Sequence, residues 1–394
     1  MPPTASEIVR DLDHEPISLP VAFGVSLEGD SAQGAAGGAR SDQIFRVASV
    51  TKPFVAALVL TLVQDGLLDL DALVTDYLPH LSLPAGPVTL RQLLSHQAAL
   101  EHEWSTPLAE YGEGDDALDR LAAGAAVAAP VEPGRWFSYA SAGFYVMAAV
   151  AQRVAGTTFE AAMKERVLDP LGLARTSFDG DASLDYPRAR RGGGGLYSNV
   201  PDLLAFAEHL LGGPGPLARE SLEAMATPQI AAPEGWYGLG IGLRDVGGRR
   251  ILEHGGSVPG FKALFTIVPD CDLAFVALSS SDAGRKAIDR LRDRAFESGC
   301  GLVPQEPVRR PVDPAALAAL TGSYDTHTFG VRLAPADGGL AVEIADADET
   351  VSAVAVPTGD SVFRVADGDE EGLLVELLEP GLVRVGGMVA RRSG

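Results

Sequence analysis

The sequence predicts an α+β protein in two parts: an antiparallel sheet flanked by helices and a helical block, then a small antiparallel barrel or sandwich. Three observations carry this. Strand-like segments stand at both ends of residues 1–301 with helical periodicity between them, which suggests one sheet completed by the two ends of a domain. Pro304, Pro307, Pro311 and Pro314 crowd into a single stretch, the composition of a semi-rigid linker over 302–314. From Thr321 onward short apolar runs alternate with Gly and Asp turns, which assigns 315–394 to the second part.

Taken in order, residues 21–27 have the apolar character of a strand, and the glycine-rich stretch 31–39 reads as a turn leading to a second. The pattern over 50–68 is helical, and Pro53 suits its first turn, where a missing N–H costs nothing. Residues 90–94, 117–129, 142–154 and 200–211 also carry helical spacing. Beyond Gly235 the texture changes: 237–243, 250–253, 263–268 and 273–279 read as strands, and 288–298 as a closing helix. In the second part the expected strands are 331–333, 340–344, 351–356, 373–377 and 382–385. No internal repeat is evident.

Composition narrows the function. With 394 residues, 46% of them hydrophobic, the chain can bury sizeable cores. A formal charge of −22 argues against nucleic acid or an anionic membrane as partner, because phosphate binding needs clustered Lys and Arg. Acidic runs at 346–349 and 367–371 read as solvated turns without metal-ligand spacing. The two cysteines, Cys271 and Cys300, likewise lack metal spacing. Neither a metal nor a cofactor is called for. No long uninterrupted apolar run appears, and residues 1–20 are acidic and proline-dotted where a signal peptide is basic and then apolar, so a cytoplasmic location is expected.

One of only four lysines, Lys52, lies three residues after Ser49 at the start of the 50–68 helix. Residues three apart share a helix face, so hydroxyl and amine stand side by side. Serine alone is a poor nucleophile, and a neighbouring amine activates it. Downstream, Tyr139-Ala140-Ser141 opens a helix, and His254-Gly255-Gly256-Ser257 ends one strand ahead of another.

These three motifs, in this order, resemble the serine β-lactamase-like family of penicillin-binding proteins, class C β-lactamases, related esterases and D-amino-acid peptidases. Supporting segments lie at 93–96, 169–173, 193–198 and 255–261. The resemblance implies a β-lactamase-like domain over 1–301 and a lipocalin-like barrel after it. It also implies that Ser49 forms an acyl-enzyme, with Lys52 and Tyr139 in acid and base roles and the backbone N–H groups of Ser49 and Ser257 as oxyanion hole. A cationic neighbour is expected to lower the Tyr139 phenol pKa. Ser141, His254, Gly255 and Gly256 are the expected substrate contacts, the glycines letting substrate approach an edge strand.

Two positions depart from the penicillin-recognising pattern. Ser141 stands where many members carry asparagine and lacks its N–H donors. His254 stands where they carry lysine and anchors a carboxylate poorly. The expected substrate is therefore a small ester, amide or peptide, cleaved by an enzyme of esterase or D-aminopeptidase type. Acyl transfer, as in a penicillin-binding-type thioesterase or peptide cyclase, is one alternative, and a non-catalytic β-lactam-binding sensor another. His96 reads as a structural histidine bonding a loop, Asp202 as an N-terminal helix charge, and Trp104, Trp136 and Trp236 as core or pocket aromatics.

Overall fold

In the computed structural model, residues 3–102, 104–180, 186–303, 308–311, 313–346, 350–359, 361–366 and 371–393 are described. Pro304 and Pro307 of the expected linker and most of the acidic runs 346–349 and 367–371 lie outside them. An eight-stranded antiparallel sheet forms the first part, in the order Asp30–Ala36, Val21–Leu27, Leu273–Ser279, Phe261–Val268, Arg249–Val258, Gly242–Val246, Gly235–Tyr237 and Ile230–Ala232. Its first two strands thus come from one end of the domain and the rest from the other.

Val21–Leu27 and Leu273–Ser279 are buried throughout because each face of the sheet carries its own core. Val21, Phe23 and Val25 point to the helices Ala5–Leu12 and Gly284–Cys300. Ala22, Val276 and Leu278 point instead to the core shared by the Thr51–Gln64 and Val200–Leu210 helices. Thr51–Gln64 is enclosed on all sides from Thr51 to Leu62, as its unbroken apolar sequence demands. No helix among the described residues is long and apolar enough to cross a membrane.

Several expected elements shift. The 50–68 helix ends at Gln64, because Gly66 turns to φ +71° and the Leu67 amide closes back on the Leu62 carbonyl at 2.9 Å. Residues 31–39 contain no turn before Ala36: Asp30–Ala36 is itself a strand, and the hairpin turn is Glu28-Gly29, at φ +51° and +80°. The 117–129 helix stops at Ala122, two residues before Gly124. The 237–243 strand is broken, with the Gly238 amide on the Ile241 carbonyl at 2.8 Å. Ala5–Leu12 is a helix beyond the expected elements, and Thr4 and Glu7 form its capping box.

The second part is a closed eight-stranded antiparallel barrel running from Gly322–Asp325 to Met388–Arg392, which pair with each other. The helix Pro314–Leu320, capped by Asp313, packs Leu317 and Leu320 on the barrel interior. The barrel also leans on the segment before the Ser141–Ala155 helix. The Val389 amide donates to Ser138 Oγ at 3.3 Å, Arg391 reaches the Pro130 carbonyl at 2.7 Å, and Arg384 stands 5.9 Å over the Phe137 ring.

Candidate active site

Ser49 sits in a tight turn, Ala48–Val50, that feeds the Thr51–Gln64 helix. Ala48 adopts φ +49°, a strained conformation for a residue with a side chain, and its neighbours fix it. Thr51 Oγ1 donates to the Ala48 carbonyl at 2.7 Å and accepts from the Leu196 amide at 3.1 Å, so the turn is tied to the glycine-rich segment 192–195. The i,i+3 spacing acts as expected: Lys52 Nζ lies 3.1 Å from Ser49 Oγ.

Lys52 is fully buried and reaches two further oxygens, Ser141 Oγ at 3.2 Å and the Gly193 carbonyl at 2.7 Å. Three oxygens around one nitrogen suit both charge states. The ammonium donates to all three; the neutral amine donates to two and accepts the Ser49 hydroxyl proton. A Cβ on residue 193 would stand 2.5 Å from the Tyr145 ring, so only glycine brings that carbonyl to the lysine. Ser141, expected as a substrate contact, lines the cleft and accepts a hydrogen bond from Lys52 Nζ.

The Tyr139 ring lies between His96, at 4.3 Å, and His102, at 5.7 Å, with Lys52 Nζ 4.9 Å over its face. Burial raises the phenol above the ordinary tyrosine range, opposed by a hydrogen bond with Ser49. The expected lowering does not occur, because the lysine meets the ring and burial outweighs what stabilises the phenolate. Tyr139 therefore holds its proton. His96 is buried at φ +57°, and its Nδ1 accepts the Ala140 amide at 3.0 Å, so it bonds the tyrosine segment as a loop-binding histidine.

His254 is buried too, and its pKa falls to about 3, first through burial and then through repulsion from Lys52, against the opposing pull of the Gly255 carbonyl. That carbonyl, 2.7 Å from Nδ1, can only accept, which places the ring proton on Nδ1 and leaves Nε2 to accept the Tyr237 hydroxyl at 3.0 Å. Both nitrogens are occupied and the ring is neutral. Its strand is not an edge strand throughout. Pairing with Gly242–Val246 runs from Arg249 to Glu253, and only residues 254–258 leave one side open. A Cβ on Gly256 would overlap the Val47 carbonyl, so the glycine seats the strand against the Ser49 turn. Ser257 is exposed, with Lys262 Nζ on its Oγ at 2.9 Å.

These groups open into a cleft of about 1700 Å³ that has room for a peptide. Its lining includes Trp236, and also Leu373, Leu374, Gly386 and Gly387 from the barrel. The Gly387 carbonyl accepts the Tyr139 amide at 2.9 Å. Trp104 is instead buried, its N–H on Tyr111, and Asp202 accepts from the Arg175 amide and Thr176, a structural role. Among the described residues no three His, Cys, Asp or Glu side chains gather as a metal centre. Sequence reasoning missed Tyr237, Arg46, Tyr186 and the barrel wall, none of which belongs to a short motif.

A family model described as Beta-lactamase matches residues 9–298. This chain belongs to the beta-lactamase family. Within this serine hydrolase family it is 26% identical to penicillin-binding protein 4 of Amycolatopsis lactamdurans, over 72% of this chain and 85% of that protein. It is also 26% identical to a D-aminopeptidase of Gluconobacter oxydans, over 86% of this chain and 68% of that one. Among solved structures, SurE with D-Leu shares the fold over 98% of this chain and 97% of its own, at TM-score 0.76 and 23% identity, so the likeness extends over the barrel. D-amino acid amidase from Ochrobactrum anthropi SV3, complexed with D-phenylalanine, shares it over 74% and 96%, at TM-score 0.61 and 21% identity.

Proposed function

We propose that this beta-lactamase family member is a serine hydrolase that cleaves a small amide or ester through an acyl-enzyme on Ser49, with D-amino-acid amides and peptides as its favoured substrates. The observation that carries the reading is the buried Lys52 amine 3.1 Å from Ser49 Oγ, held by Ser141 and the Gly193 carbonyl. Lys52 takes the Ser49 proton as the hydroxyl attacks the carbonyl, and Tyr139, which keeps its proton, delivers one to the departing nitrogen or oxygen. Net transfer from Lys52 to Tyr139 restores both groups. Amides at Ser49 and Ser257 are the oxyanion donors of this reading. The D-amino-acid preference draws on the D-aminopeptidase relative. Acyl transfer is the second reading, supported by a cleft large enough for an acceptor beside the acyl group.

Purified protein incubated with D-alanine p-nitroanilide, its L enantiomer and p-nitrophenyl butyrate tests this. Turnover with D preference is expected, together with an intact-mass acyl adduct absent from Ser49→Ala. Undiminished turnover by Ser49→Ala removes Ser49 as nucleophile. Diversion of product by added amines or alcohols marks a transferase, and a stable penicillin G adduct without turnover marks a sensor.

A further inference from the structure

Most cations lining the cleft have a carboxylate of their own: Arg244 holds Glu253 at 2.7 Å, Arg285 holds Asp289 at 2.7 Å, and Lys262 meets Asp282 at 3.3 Å. Arg46 does not. It lies three residues before the nucleophile, in the short strand Phe45–Arg46 that pairs with Tyr197–Ser198, and is only 7% exposed. Its guanidinium stands 4.9 Å over the Tyr186 ring and 6.0 Å over that of Tyr197. Among the described residues no carboxylate lies within ion-pair distance of it, and its guanidinium makes no hydrogen bond. Burying a charge without a counter-ion is costly, and stacking on tyrosine faces returns only part of that.

Arg190 stands over the same Tyr186 ring at 5.6 Å. The Tyr186 hydroxyl comes so near Gly194 that a Cβ there would be 2.6 Å from it and 3.3 Å from the Ala48 carbonyl carbon, which sets Tyr186 against the nucleophile turn. A guanidinium held beside aromatic faces can present its planar edge to a carboxylate, which it binds through two parallel hydrogen bonds.

We infer that Arg46 and Tyr186 form a carboxylate-binding subsite of the Ser49 cleft, so that the substrate is an anionic one. The inference rests on Ser49 being the reacting group. It also moves anionic recognition to a part of the cleft where the sequence shows no motif, since the neutral His254 supplies none. A carboxylate can sit on either half of the substrate, and two matched pairs separate these cases. On the acyl half, mono-p-nitrophenyl glutarate is compared with p-nitrophenyl pentanoate; on the leaving half, D-alanyl-glycine with D-alanyl-glycinamide.

The expected result is a kcat/KM for the carboxylate member that exceeds its neutral twin by about tenfold to a hundredfold in one pair. That ratio should collapse in Arg46→Gln and return in part in Arg46→Lys. Ratios near one in both pairs of the wild-type protein overturn the inference, even if no variant folds, as does a ratio that Arg46→Gln leaves intact. If nothing turns over, calorimetry of glutarate with the Ser49→Ala protein still decides. Binding that disappears when Arg46→Gln is added upholds the subsite while the hydrolase reading fails; no binding overturns the subsite.

Discussion

Val47 and Gly256 meet where no methyl group fits, so Gly256→Ala must push the 254–258 segment away from the Ser49 turn. The expected cost is about 1–3 kcal/mol of stability, as for other overpacked sites, with a larger loss in kcat than in KM; thermal unfolding beside steady-state kinetics reads both. In the proposed mechanism Tyr139→Phe removes the proton donor and keeps the ring, so stability should hold while kcat falls about 10²- to 10⁴-fold. A pH–rate profile adds a further check. Burial pushes His254 down to about 3 and raises Tyr139, so neither should produce a limb between pH 6 and 9. An acid limb near 6.5 that vanishes in His254→Gln would contradict the neutral, doubly bonded histidine.

Elements with a strong local signal were legible from the sequence. Val21–Leu27 and Leu273–Ser279 announce themselves because burial on both faces demands continuous apolar residues. The 50–68 helix was visible but overextended, since apolar residues continue past the Asp65-Gly66 stop. Asp30–Ala36 was hidden because its small and polar residues gain strand geometry from pairing with Val21–Leu27 and not from their own preference. At the site, Ser49 and Lys52 were readable because a helix turn joins them, whereas the link between Lys52 and Ser141 spans 89 residues, beyond the reach of any local pattern. Least visible was the hairpin between Leu382–Val385 and Met388–Arg392, whose Gly387 carbonyl seats Tyr139. Arg384 anchors that hairpin: 5% exposed, it pairs with Glu376 at 2.7 Å and stands over Phe137. Arg384→Ala leaves the half-buried Glu376 carboxylate without its partner, and a loss of about 1–3 kcal/mol is expected, together with reduced kcat. Chemical denaturation and activity measured on one preparation check it; unchanged kcat would detach the hairpin from the chemistry.

Across the whole molecule, buried neutral histidines set the response to acid. His254 and His96 are both held below the ordinary value of 6.5, chiefly by burial, and His209 is lowered as well. Between about pH 6.5 and pH 3 the unfolded chain therefore binds protons that the folded chain refuses. Stability is full above pH 6.5 and falls as pH drops through this window, by up to about 1.4 kcal/mol per pH unit for each such histidine. Urea midpoints measured from pH 7 to pH 4.5 test the slope, and a flat profile would mean that these rings are protonated or exposed in the folded state.

The hydrogen bond from the Val389 amide to Ser138 joins residues 251 apart in the chain, and the neighbouring Gly387 carbonyl holds the Tyr139 amide in the same way. During synthesis, Ser49, Lys52 and the whole eight-stranded sheet leave the ribosome before that hairpin exists. In the order of synthesis the Ser49–Lys52 pair therefore precedes the segment that seats Tyr139, and the proposed nucleophile is made before the proposed proton donor is in place.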